Sequence, residues 1–233
     1  HSKSPEFLKS ACGALSNLCQ FKVNQQGVAS HGGLQPLINS IGIHQRNAKL
    51  LPFIFDALAS LIVGNEENAR MVSAQDGITK ILTATVAHKD VSEVVKSGCH
   101  ALAILSDVKG QASKIAFAGG VASILPLLDL HPAYPDFHRV AAVVLLRMLQ
   151  ESSHVVREIA SNDGIRILLK SLDKGGAQQD TVAAITHILS TVTNPLAATT
   201  NSIEGQLWHQ TPSSGMGGGS SGSMGDDMPV GIS

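Results

Sequence analysis

His31-Gly32-Gly33-Leu34-Gln35-Pro36-Leu37-Ile38 decides how this chain folds, because the same pattern occurs four times. It returns as Gln75-Asp76-Gly77-Ile78-Thr79-Lys80-Ile81-Leu82, as Ala118-Gly119-Gly120-Val121-Ala122-Ser123-Ile124-Leu125, and as Asn162-Asp163-Gly164-Ile165-Arg166-Ile167-Leu168-Leu169. The aligned glycines stand 44, 43 and 44 residues apart. Five positions before them lie Val28, Val72, Ile115 and Ile159, and about 15 before lie the leucine pairs Leu15/Leu18, Leu58/Leu61, Leu102/Leu105 and Leu146/Leu149. Apolar spacings of three and four belong to helices. A fixed period in the forties built from such spacings marks a stacked helical solenoid, an architecture that usually serves as a binding surface.

Each period reads as three helices: a short one before the glycine, as in Glu66 to Ala74, a medium one after it, as in Ile78 to Val86, and a long one with the leucine pair, as in Val91 to Leu105. The glycine falls where the first helix stops, and a positive φ is expected of it there. Pro132 and Pro135 exclude a continuous helix across 121 to 149. Residues 8 to 19 form a third helix with no first and second helix before it, so the array opens in mid-repeat and its uncovered face is expected to meet further repeats or another chain. The expected organisation is an N-terminal extension over 1–7, in the manner of an expression scar, a solenoid over 8–204, and a Gly/Ser-rich tail over 205–233.

Composition agrees with a layered helical core. The chain is 43% hydrophobic but 3% aromatic, leaving Ala, Leu, Ile and Val to fill the interior. With 17 basic and 18 acidic residues, it has no charge excess for nucleic acid, and no apolar run approaches the length of a membrane span. Cys12 and Cys99 share a column with Phe55 and Val143, a packing position; three cysteines without CxxC spacing favour reduced thiols and a cytoplasmic setting, with nuclear or cytoskeletal association also open. None of the ten histidines lies in HExxH or at zinc spacing. His44, His88 and His131 fall in turns, where solvated side chains are expected. Paired glycines follow helices and form no phosphate loop. No catalytic residue, metal site or cofactor is expected.

Taken together, these segments resemble armadillo repeats. Gly13-Ala14-Leu15-Ser16-Asn17-Leu18-Cys19 resembles that family's third-helix core, Gly64-Asn65-Glu66-Glu67-Asn68-Ala69-Arg70-Met71-Val72 its first helix, and His31 to Ile38 the junction into its second. HEAT repeats, usually of two helices per unit, lack the glycine column. The resemblance implies an all-α, right-handed armadillo-type solenoid of roughly four to five repeats, the first and last incomplete. It also implies third helices lining a concave groove that receives a protein partner as an extended peptide or helix.

By the leucine-pair alignment, one groove column holds Asn17, Ser60, Ile104 and Met148, and another holds Gly13, Asp56, His100 and Val144. The tryptophan–asparagine ladder of nuclear-import adaptors is matched at Asn17 alone, which argues against import signals as partners. The expected groove is Asn17, Asp56, Ser60, His100, Ile104, Val144 and Met148, becoming more apolar toward its C-terminal half. Trp208, beyond the repeats, is read as a lid or a partner anchor. The expected function is a non-enzymatic scaffold or adaptor. The alternatives are a segment of a larger cytoskeletal or ciliary assembly, or a regulatory subunit or chaperone for an enzyme or small GTPase. A groove position at 148 would accept Met148→Asp with helical content intact.

Overall fold

The computed structural model describes residues 4–173 and 178–194; Trp208 and the expected tail lie outside them. Every element among the described residues is a helix. The chain opens with α1 (Pro5–Leu18) and continues with α2 (Lys22–Ser30), α3 (Leu34–Ile43) and α4 (Leu51–Ile62). The next unit is α5 (Glu66–Ala74), α6 (Gly77–Ala87) and α7 (Ser92–Ser106). Then come α8 (Gln111–Phe117), α9 (Gly120–Leu130) and α10 (Pro135–Glu151), and last α11 (His154–Ser161), α12 (Gly164–Asp173) and α13 (Gln179–Thr193). The expected bounds hold to within a residue in the second repeat, and α5 matches at both ends. In contrast, α1 begins at Pro5, inside the stretch expected as an extension; proline fits a first helical turn, whose N–H has no intrahelical acceptor.

The helices stack like with like. The third helices α1, α4, α7, α10 and α13 pack side by side in one layer, and the second helices α3, α6, α9 and α12 form another row. The core lies between them and is aliphatic: Leu58, Leu61, Leu102 and Leu105 are wholly buried, as are Ile81, Ile124 and Leu168 within about a percent. Burial of this kind, near 25 cal/mol per Å² of apolar surface, drives the stacking. No single helix among the described residues is long and apolar enough to cross a membrane.

The glycine column has a different cause from the one expected. The positive φ sits one residue earlier, at Gly32 (+74°), Asp76 (+62°), Gly119 (+84°) and Asp163 (+57°). Gly33 itself is right-handed, at φ −68°. What excludes a side chain is proximity. A Cβ would stand 2.9 Å from the Val28 carbonyl oxygen at Gly33, 2.7 Å from that of Val72 at Gly77, 2.7 Å from that of Ile115 at Gly120 and 2.5 Å from that of Ile159 at Gly164. Each first helix therefore ends with a carbonyl set almost against the Cα that opens the second helix. At Gly33 the amide donates to that carbonyl over 2.8 Å, the bond that ties off a helix C-terminus.

A polar seam joins the repeats at a column the apolar pattern does not reveal. Gln25, Asn68 and Gln111, 43 residues apart, are each 2% exposed. Gln25 Nε2 donates to the carbonyls of Cys19 (3.0 Å) and Ser60 (2.9 Å), and Asn68 Nδ2 to that of Leu61 (2.8 Å). These acceptors lie at the ends of third helices, where carbonyls lack helical donors. Gln111 Oε1 accepts from the Ser73 hydroxyl. The turn histidines also differ from expectation. His88 Nε2 donates to the Gln45 carbonyl (2.7 Å) and His131 Nε2 to that of Lys89 (2.5 Å), so each links its repeat to the one before.

Gly77→Ala is expected to lose about 1–3 kcal/mol in chemical unfolding, because the new methyl meets backbone that cannot give way. Gly42→Ala, at a helical site with nothing within 4 Å of the added carbon, is expected to gain stability. Equal effects at the two sites would contradict the close-approach account.

Candidate functional site

The exposed edge of the third-helix layer carries the candidate site. Asp56 on α4 and His100 on α7, placed in one column by the sequence, both line a pocket of about 340 Å³. Pro52 from α4, Glu93, Lys96 and Ser97 from α7, and Asp136, Phe137 and Val140 from α10 complete it. One opening thus spans three successive repeats. Phe137, 2% exposed, and Ser97, 8% exposed, lie deepest. Ser97 directs its hydroxyl to the Glu93 carbonyl at 2.8 Å, as helix serines do, leaving the apolar surfaces of Phe137, Pro52 and Val140 facing inward.

Charge gathers at the mouth. Asp56 opens to solvent along one edge, yet the surrounding walls withdraw enough water to push its carboxyl above the ordinary value, with His100 opposing that shift. The Glu93 carboxyl is held low, first by its own backbone and then by the Ser92 hydroxyl. Lys96 leans away, its Nζ 5.9 Å from the centre of the Tyr134 ring. Glu93 and Lys96 were not among the residues predicted for the groove, although a sequence signal exists: they precede His100 by seven and four positions and share its helix face.

The remaining predicted residues separate. Asn17 is exposed on α1, away from the pocket. Ser60 is half-buried and its hydroxyl donates to the Asp56 carbonyl (2.9 Å), while Ile104 is half-buried against the core. Val144 and Met148 are wholly buried and cannot present side chains to a partner. The correction is one of register. The core pair of α10 is Leu145/Met148, not Leu146/Leu149: Leu145 and Met148 are 0% exposed, whereas Leu146 and Leu149 retain 5% and 8%. The column that holds Asp56 and His100 therefore continues at Val143, and the one that holds Ser60 and Ile104 continues at Arg147. Likewise Ala142, not Val143, joins Cys12, Phe55 and Cys99 at 0% exposure. Burial pushes those two thiols up, to about 11 and about 12 respectively.

Arg147 lies seven residues beyond Val140 on α10, outside the pocket lining. Its Nη1 donates to the Ala103 carbonyl (3.0 Å) and the Ser106 hydroxyl (3.1 Å), and it pairs with Asp107. In place of the apolar surface expected from Val144 and Met148, this stretch of the third-helix face carries the polar network of Arg147. Burial raises the Asp107 carboxyl, with Arg147 pulling it down.

The sequence profile of the GAC ARM domain family matches residues 2–196. No curated protein matches the chain. Among solved structures it is similar to a designed armadillo repeat protein, at 19% identity and TM-score 0.66, over 82% of this chain and 78% of that one. It is similar to an engineered protein at 19% identity and TM-score 0.68, over 87% of each chain. A designed armadillo repeat protein in complex with the peptide (KR)4 matches at 18% identity and TM-score 0.65, over 88% and 90%. At these identities the likeness concerns the fold alone.

Met148→Asp is expected to abolish cooperative unfolding followed by circular dichroism, since it buries a charge without a partner. Val143→Asp is expected to keep it. Retention of a native transition by Met148→Asp would restore the leucine-pair register.

Proposed function

The chain belongs to the GAC ARM domain family, and on that footing we propose that it is a non-enzymatic scaffold that receives a polypeptide partner along its third-helix face. The partner would lie as an extended segment or a helix across α4, α7 and α10. The observation that carries this reading is the open pocket shared by those three helices. Side chains from successive repeats converge on one cavity there, as a crossing segment requires. The peptide bound by a neighbour of the same fold supports it.

A photo-crosslinking residue at His100 is expected to trap a polypeptide partner from cell extract, and the same residue at Thr83, exposed on the second-helix row, is not. Equal trapping at both positions would count against the groove.

A second reading is favoured by a separate observation. Leu18 on α1 is 56% exposed, whereas Leu61, 43 positions on in α4, is buried to 0%. The outer face of α1 is thus a stacking face, which suits end-to-end joining in a larger assembly, cytoskeletal or ciliary in the extended form of this reading. Sedimentation over a range of concentrations is expected to show association that Leu18→Glu abolishes. A monomer at all concentrations would remove the case for joining between copies.

A further inference from the structure

We propose that the pocket across α4, α7 and α10 takes a cationic side chain, lysine or arginine, from the segment that crosses it; this rests on the groove reading above. Three carboxylates from three different helices, Asp56, Glu93 and Asp136, stand around the mouth. None closes an ion pair with a lysine or arginine within 4 Å among the described residues. Among the described residues their side-chain donors are neutral: Gln178 Nε2 donates to Asp136 over 3.4 Å, and the Ser92 hydroxyl donates to Glu93 over 3.0 Å. Against them the pocket sets one fixed cation, Lys96, which leans toward Tyr134, and His100.

The depth of the pocket has the opposite character. Phe137, Pro52 and Val140 offer apolar surface below the acidic rim. A long side chain with a methylene stem and a charged head fits both parts at once: the stem lies on the ring and the aliphatic wall, and the head stays among the carboxylates. A carboxylate side chain would meet three like charges at the rim. A purely apolar side chain would fill the floor but leave three carboxylates facing Lys96 and His100 alone. Asp56 adds to the preference, because a cation at its carboxyl offsets the desolvation that now raises it.

The test uses the full chain and three capped nine-residue Ser/Ala peptides. They are identical except for a central lysine, norleucine or glutamate, and are titrated while backbone amide shifts are followed by NMR. The lysine peptide is expected to bind tightest, to perturb amides near Asp56, His100 and Val140, and to weaken as salt is raised. Asp56→Asn and Asp136→Asn are each expected to weaken it about threefold, the scale of a rim charge pair, while leaving the norleucine peptide unchanged. If norleucine or glutamate binds as tightly as lysine at the same amides, the groove stands and the cationic assignment falls. If no peptide perturbs α4, α7 or α10, the assignment falls and the scaffold reading falls with it.

Discussion

The structure depends on how closely a first helix is allowed to approach the start of the second. At Gly33, Gly77, Gly120 and Gly164, the carbonyl five residues earlier sits where any Cβ would collide with it. This contact sets the angle between the two helices, and four copies of one angle give a stack in which like helices meet like. Two of these points also touch a further helix. A Cβ at Gly120 would come within 2.9 Å of Met148 Sδ, and one at Gly164 within 2.9 Å of Leu125 Cδ1. Gly164 is therefore also a point where two repeats meet, and Met148 fixes the rotation of α10 by packing against Gly120 of its own repeat.

From that rotation the exposed edge follows. With Met148 turned inward, α10 presents Val140, Val143 and Arg147 outward, and Asp136 at its first turn reaches the pocket shared with Asp56 and His100. Polar groups then finish what apolar stacking leaves open. Gln25 and Asn68 take up third-helix carbonyls, and Glu151 at the end of α10 accepts from the Gly110 and Ser113 amides at the start of α8. A carboxylate is well placed there, beside the positive end of a helix dipole. Lys170 and Arg166 on α12 both reach Asp129 on α9, and the Lys170 hydrogen bond holds that carboxyl below its usual value. The bonds of Gln25, Asn68 and Asp129 cross from one repeat to the next and so specify which surfaces meet, whereas Glu151 ties α10 to α8 within one repeat.

The period, the three helix types and the boundaries of α5 were legible because they rest on local spacing and capping. Asn65, for example, caps α5 by accepting from the Asn68 amide. The phase of α10 was not legible for a reason visible in its composition. Val140-Ala141-Ala142-Val143-Val144-Leu145-Leu146 is apolar at every position, so no polar residue marks which side faces out. Either leucine register satisfies such a run, and tertiary contact with Gly120 decides between them. The Gln25, Asn68 and Gln111 seam escaped notice for the converse reason: polar side chains read as surface unless their acceptors are known. The outward phase of Asp56 and His100 was legible because α4 and α7 carry enough polar residues to mark their exposed side.

The register of α10 is the point on which both core and groove turn. Single cysteines placed through 140–151 and exposed to a water-soluble thiol reagent read it directly, since the native Cys12, Cys19 and Cys99 are buried with raised thiol values. Fast labelling at 143, 147 and 150, with protection at 144, 145 and 148, is the predicted pattern. Fast labelling at 144 and 148 with protection at 143 and 147 would contradict it.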